Sequence, residues 1–131
     1  MGYENWHPHI NQYDGNHGRV REKLVPNQQA TLREQVREVM RFLRYSPRTE
    51  QAYWHWIERY LRHHRRPGMV GRESWRHPRD LGTVEVRDFL TYLAASLNVS
   101  ASTQNQALNA LVFLYGEVLH QPLGSFADFA R

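Results

Sequence analysis

Ser46-Pro47-Arg48-Thr49-Glu50-Gln51-Ala52-Tyr53-Trp54-His55-Trp56-Ile57-Glu58-Arg59-Tyr60-Leu61-Arg62 carries a helix start and a helical period in one run. Ser46 carries the short oxygen side chain of a helix N-cap, and Pro47 stands at the first helical position, where a missing N–H costs nothing. Tyr53, Trp56, Ile57, Tyr60 and Leu61 then recur at spacings of three and four, which places them on one apolar helical face. Arg48, His55, Arg59, Arg62 and Arg66 follow a second stripe. The helix is predicted to run to about Arg65, stopped by Pro67-Gly68.

The same period extends to both sides. Upstream, a helix is expected from about Thr31 to Arg44. Thr31 is its N-cap, and Glu34 completes a capping box. Leu32, Val36, Val39, Met40 and Leu43 form its inner stripe. Downstream, residues 67–82 read as a loop punctuated by Pro67, Gly68, Gly71, Pro78 and Gly82, with Trp75 tucking it back onto the helices. A third helix is expected over Val84 to Leu97, capped by Thr83, with Glu85 in the first turn and Val86, Phe89, Leu90, Leu93 and Leu97 inside. A fourth starts after Ser100 and runs to about His120. Its inner face is Ala107, Leu108, Leu111, Leu114, Tyr115 and Val118. Its opposite face gathers Ser102, Asn105, Gln106 and Asn109, polar and uncharged. No segment sustains the alternation of a strand. The expected fold is all-α, a single four-helix bundle over residues 31–124. Residues 1–30 show no period and read as an irregular or disordered extension.

Composition narrows the chemistry. The chain has 131 residues and no cysteine, which excludes disulfides, thiolate metal sites and thiol nucleophiles. The longest apolar run, Ala110 to Tyr115, is too short to span a bilayer, and no N-terminal signal region is visible. A reducing bacterial cytoplasm is the expected address. The formal charge of +4 comes from sixteen arginines and one lysine, and it is unevenly spread. Residues 31–80 hold twelve Arg against six Asp and Glu, whereas residues 81–131 hold two against four. Such a basic segment suits a partner bearing phosphates or carboxylates, and equally a solvated, salt-bridged surface.

Catalysis is not expected. There is no nucleophile elbow, no paired-carboxylate pattern and no phosphate-cradling glycine loop. Eight histidines raise the question of metal. His63 and His64 are adjacent, however, and neighbours on a helix point about 100° apart, so they are poorly placed to share one ion. No cofactor and no small-molecule substrate is expected. Nucleic-acid binding fits the residues better. Arginine rows contact phosphates, and the amide-rich start of the fourth helix can reach base edges and backbone. Ser46-Pro47-Arg48-Thr49 and Ser100-Ala101-Ser102-Thr103 each join hydroxyls to a helix terminus, although both also read as plain caps. A helical protein-interaction module is the rival from another class, and a histidine-rich metal binder is a third.

Three stretches carry a family resemblance. The first is Tyr45 to Tyr53, followed by Trp56, Ile57 and His64. The second is His77-Pro78-Arg79-Asp80-Leu81-Gly82. The third and most specific is Ser102 to Leu111, followed by Phe113-Leu114-Tyr115 and Glu117-Val118-Leu119. In this order they resemble the N-terminal core-binding domain of tyrosine recombinases, most closely integron integrases. The resemblance spans residues from about 31 to 120, about two thirds of the chain.

It implies a SAM-like orthogonal four-helix domain forming half of a C-shaped clamp on DNA, with the second and fourth helices across the major groove. The expected DNA-binding residues are Arg44, Ser46, Arg48, Thr49, Arg59, Arg62, Ser102, Thr103, Asn105, Gln106 and Asn109. Of these, Arg44, Arg48, Arg59 and Arg62 would neutralise phosphates, and the rest would make closer contacts. The expected partners are a recombination site, double-stranded or folded single-stranded DNA, and other recombinase subunits in a synaptic complex. The family's catalytic domain lies C-terminal to this one, so the chain reads as a non-catalytic part of a recombinase, with residues 125–131 beginning the linker. None of the seven tyrosines matches the nucleophile. The stretch from Arg66 to Trp75 is longer than expected, and residues 1–30 have no clear counterpart. Phe113 is expected to pack on the first helix or on a neighbouring subunit.

Overall fold

The computed structural model describes the backbone of His9–Ile10 and residues 24–124. The expected linker over residues 125–131, and most of the expected extension over residues 1–30, lie outside the described residues. The chain divides into two compact units, one ending at Gln51 and the other beginning at Ala52.

In the first unit, strand β1 (His9–Ile10) pairs antiparallel with β2 (Leu24–Val25). This pair interrupts the stretch read as irregular, and it is too short for alternation to reveal it. Helix α1 (Leu32–Phe42) begins at the capping box the residues call for: Thr31 Oγ1 accepts from Glu34 N, and Glu34 Oε1 accepts from Thr31 N. Val36, Val39 and Met40 are buried, while Leu43, assigned to the same stripe, is exposed because the helix ends one residue before it. Glu38 is buried too, and among the described residues neither of its oxygens has a hydrogen-bond partner. Burial, and then the neighbouring Glu34 carboxylate, raise its pKa.

Helix α2 (Pro47–His63) starts in the first unit at Ser46 and continues into the second. There it buries Trp56, Ile57 and Tyr60. The loop after it contains two 3₁₀ turns, Gly71–Ser74 and Pro78–Asp80. Helix α3 (Thr83–Ala95) buries Val86, Phe89, Leu90 and Leu93, whereas Leu97 lies beyond its end and is exposed. Its N-cap is Gly82 rather than Thr83. Glu85 Oε1 accepts from Gly82 N, and the Thr83 hydroxyl instead accepts from Gly124 N. Helix α4 (Ala101–Phe113) packs against α3 and buries Ala107, Ala110, Leu111 and Phe113. Its last turn widens into a π-helical segment, Leu114–Val118, closed by Leu119 N donating to Leu114 O. The described residues are mostly helical, and the fold is all-α. No helix among them is long and apolar enough to cross a membrane.

Deep in the second unit the Tyr60 and Tyr115 hydroxyls meet at 2.9 Å, and Tyr115 donates to the Pro78 carbonyl at 2.8 Å. With Tyr115 committed as donor to Pro78, Tyr60 donates to Tyr115. Burial pushes the Tyr115 phenol up to about 12. Burial and the donated hydrogen bond push Tyr60 upward as well.

The relay predicts an asymmetry in denaturant melts. Tyr60→Phe removes a donor that leaves Tyr115 still paired with Pro78, and costs about 1 kcal/mol. Tyr115→Phe strands both the Tyr60 hydroxyl and the Pro78 carbonyl, and costs about 2–4 kcal/mol. Equal losses would contradict the donor order. In the unfolded chain these phenols ionise near 10, in the fold only higher, so stability is intact below pH 10 and declines as the pH rises toward 12.

Candidate nucleic-acid interface

In the first unit the candidate residues cluster where α1 turns into α2. Arg44 closes α1 in the left-handed region, at φ 66°, with Arg44 N donating to Arg41 O and Tyr45 N to Met40 O. This is the position glycine usually takes at a helix end. Two residues later Ser46 caps α2: its Oγ accepts from Thr49 N at 3.2 Å and donates to Thr49 Oγ1 at 3.0 Å. Both candidate hydroxyls are therefore engaged in the cap. Arg41 lies 3.6 Å from Glu50. Arg44 and Arg48 are exposed, and neither makes an ion pair with any described residue.

In the second unit the remaining arginines are partly engaged. The Arg59 guanidinium lies 4.8 Å from the centre of the Trp56 ring, and Arg62 lies 3.5 Å from Glu58 one turn earlier. With His63, Phe89 and Tyr92 they line a surface hollow of about 290 Å³ between α2 and α3. Arg66, placed on the same stripe by spacing, does not join them. It stands past the end of α2 and donates to the carbonyls of Glu73 and Trp75, while Arg65 donates to the Ser74 hydroxyl and covers the Trp75 ring at 4.6 Å. Trp75 is therefore held by Arg65 and stays partly exposed. These two arginines brace the long loop. Spacing could not reveal this, because the helical period ends at His63.

The start of α4 repeats the chemistry of the start of α2. Ser100 Oγ accepts from Thr103 N and donates to Thr103 Oγ1, each at 3.1 Å. Gln104 donates to Leu90 O and so ties α4 to α3. Ser102, Asn105, Gln106 and Asn109 are all exposed on one face, which continues to the exposed Val112. None of the four side chains has a hydrogen-bond partner among the described residues. The N–H groups of Ala101 and Ser102, in the first turn, likewise have no acceptor there. Such a face can offer donors and acceptors without charge, beside a helix terminus that favours an anion. Phe113 is not part of it: its ring is buried and meets Tyr53 of α2 edge-on at 5.6 Å. The His77 to Gly82 motif is structural. Pro78 receives the Tyr115 hydroxyl, and Arg79 donates to Leu119 O.

Residues 32–125 match the family described as phage integrase, N-terminal SAM-like domain. Two curated proteins described as integrase/recombinase, one from Escherichia coli and one from Pseudomonas aeruginosa, are each 46% identical to this chain over 108 residues. The match covers 82% of this chain and 29% of each relative, so the chain spans less than a third of their length.

The left-handed Arg44 gives a test of how this corner is built. A non-glycine residue in that region costs about 1 kcal/mol relative to glycine. Arg44→Gly should therefore hold or raise the melting temperature in calorimetry, and a clear drop would mean the Arg44 side chain supports the fold.

Proposed function

The chain belongs to the phage integrase N-terminal SAM-like domain family, and from that premise we propose that it is the DNA-binding, core-binding domain of an integron-type tyrosine recombinase. The reading rests chiefly on the exposed α4 face of Ser102, Asn105, Gln106 and Asn109, which carries three side-chain amides and one hydroxyl with no partner of their own. An ordinary solvated helix face has little reason to spend two asparagines, which are poor helix formers.

In this reading α4 lies across the recombination site with its amides toward base edges and its first-turn N–H groups toward a phosphate. Arg44 and Arg48 neutralise phosphates at the start of α2. Arg59 and Arg62 add charge further along that helix, Arg59 from a guanidinium already oriented on Trp56. Thr49 and Thr103 act through the caps that orient the helix starts. Much of the affinity comes from backbone and shape. Strand cleavage belongs to another part of the recombinase, and the domain works beside other subunits in a synaptic complex in the bacterial cytoplasm.

Fluorescence anisotropy with a labelled duplex and a folded single-stranded hairpin, at two salt concentrations, tests this directly. Affinity should fall steeply with salt, and a preference for the hairpin supports the integron type. Weak dependence on salt would instead favour a protein-interaction module with an apolar centre. Arg48→Ala should weaken binding to all sequences about equally, whereas Asn105→Ala should change the preference between sites. A uniform loss for Asn105→Ala would make it a backbone contact. Arg44→Gly should weaken binding while leaving the fold intact.

A further inference from the structure

At the end of α2 two histidines and a carboxylate converge in a way that DNA binding does not use. Regular helical geometry would hold the His63 and His64 side chains apart. But α2 ends at His63, and its last turn tightens, with His64 N shared between the carbonyls of Tyr60 and Leu61 at 3.3 and 3.2 Å. The two rings then stand 4.8 Å apart and nearly perpendicular, at 87°. Each is fixed by packing: His64 against Tyr60, His63 against Phe89 and Tyr92. Asp88, on α3, brings its Oδ2 to 3.0 Å from His63 Nε2. One ligand atom from each of His63, His64 and Asp88 lies within 4.8 Å of the other two.

We propose that His63, His64 and Asp88 form a binding site for a divalent transition-metal ion of the zinc class, joining the end of α2 to α3. Two imidazoles and one carboxylate are a donor set that suits zinc. Around a tetrahedral zinc, donor atoms lie about 3.4 Å apart. The present separations, up to 4.8 Å, are wider than this, so the three side chains close on the ion as it binds. His64 also shows the outer contact that metal-bound histidines usually make: its Nε2 lies 2.9 Å from the Glu85 carbonyl. That bond requires the proton on Nε2 and leaves Nδ1 as a lone-pair donor. Burial lowers the His64 pKa and so favours the neutral, ligating ring. The fourth position is left to water. The site is independent of the DNA-binding reading and stands or falls separately from it.

Isothermal titration and thermal melts of the full chain with Zn2+ test the proposal. The expected result is one tightly held ion, a melting temperature that rises with Zn2+ and returns with chelator, and binding that weakens in acid, where protons compete with the ion for the ligand atoms. His7, His9 and His17 supply a competing explanation, so two variants decide between them. His63→Gln and Asp88→Asn, both at positions that are not core, should each weaken Zn2+ by about tenfold or more. Replacing His7, His9 and His17 together by Asn should leave the affinity unchanged. The reverse pattern, or no thermal shift in the parent chain, overturns the site. Loading with Co2+ gives a second readout: a low-coordinate nitrogen and oxygen site produces visible absorption, and its absence at saturation would likewise overturn the assignment.

Discussion

The relay from Tyr60 through Tyr115 to the Pro78 carbonyl governs how the second unit is assembled. Burying two phenols is tolerable only if both hydroxyls find partners. The one arrangement that satisfies them draws together α2, the far end of α4 and the loop before α3. Leu114, Tyr115, Val118 and Leu119 are all buried around this point, and the π-helical turn allows so many neighbours to face inward at once. Arg79 and Gln121 close the same corner from the loop and the chain after α4. With the end of α4 held in this way, its rotation about its own axis is set. Ala107, Ala110 and Leu111 go inward, and Ser102, Asn105, Gln106 and Asn109 are left outside.

The arginines divide into two kinds of work. Arg65, Arg66 and Arg79 commit their guanidinium groups to the chain's own carbonyls and hydroxyls, bracing the loop between α2 and α3. Arg59 and Arg62 are lightly engaged, on a ring face or beside the exposed Glu58 carboxylate, where an ion pair contributes little and is readily exchanged for a phosphate, while Arg41 pairs with the more buried Glu50. Arg44 and Arg48 stand at the helix junction without an ion pair among the described residues. The charge available to a polyanion is therefore smaller than the basic excess of residues 31–80, and the exposed Arg44 and Arg48 at the start of α2 belong to it.

Two helix starts use the same device. At Ser46 and at Ser100 the cap oxygen takes the threonine N–H and gives its own proton to the threonine hydroxyl. The threonine methyl and hydroxyl are thereby fixed, and at α4 the N–H groups of Ala101 and Ser102 are left for an outside acceptor. A functional contact at either start and a structural cap are thus not competing readings, since the cap is what would hold the contact in place.

Local residue chemistry made much of this fold legible. The capping box at Thr31, the Ser46-Pro47 start, the inner stripes of α1, α2 and α3, the outer amide face of α4 and the all-α class follow from spacing and cap preference, which act over one or two turns. Beyond the short β1–β2 pair and the exposed Leu43 and Leu97, four features did not follow. Gly82 displaces Thr83 as the cap of α3 because Glu85 reaches back to it and the threonine is drawn to Gly124. Phe113 turns inward because Tyr53 offers an edge for it, and Arg66 leaves its stripe because the helix ends early. His63 and His64 come together with Asp88 because α3 lies beside the end of α2. Each depends on a partner brought near by packing from far along the chain, or on the point at which a helix stops, and no periodic rule carries that information. Residue spacing and cap preference alone fix which faces are apolar and where most helices begin, because both act within a turn or two. Which polar groups remain free follows only from packing, because it depends on the partners that distant parts of the fold supply.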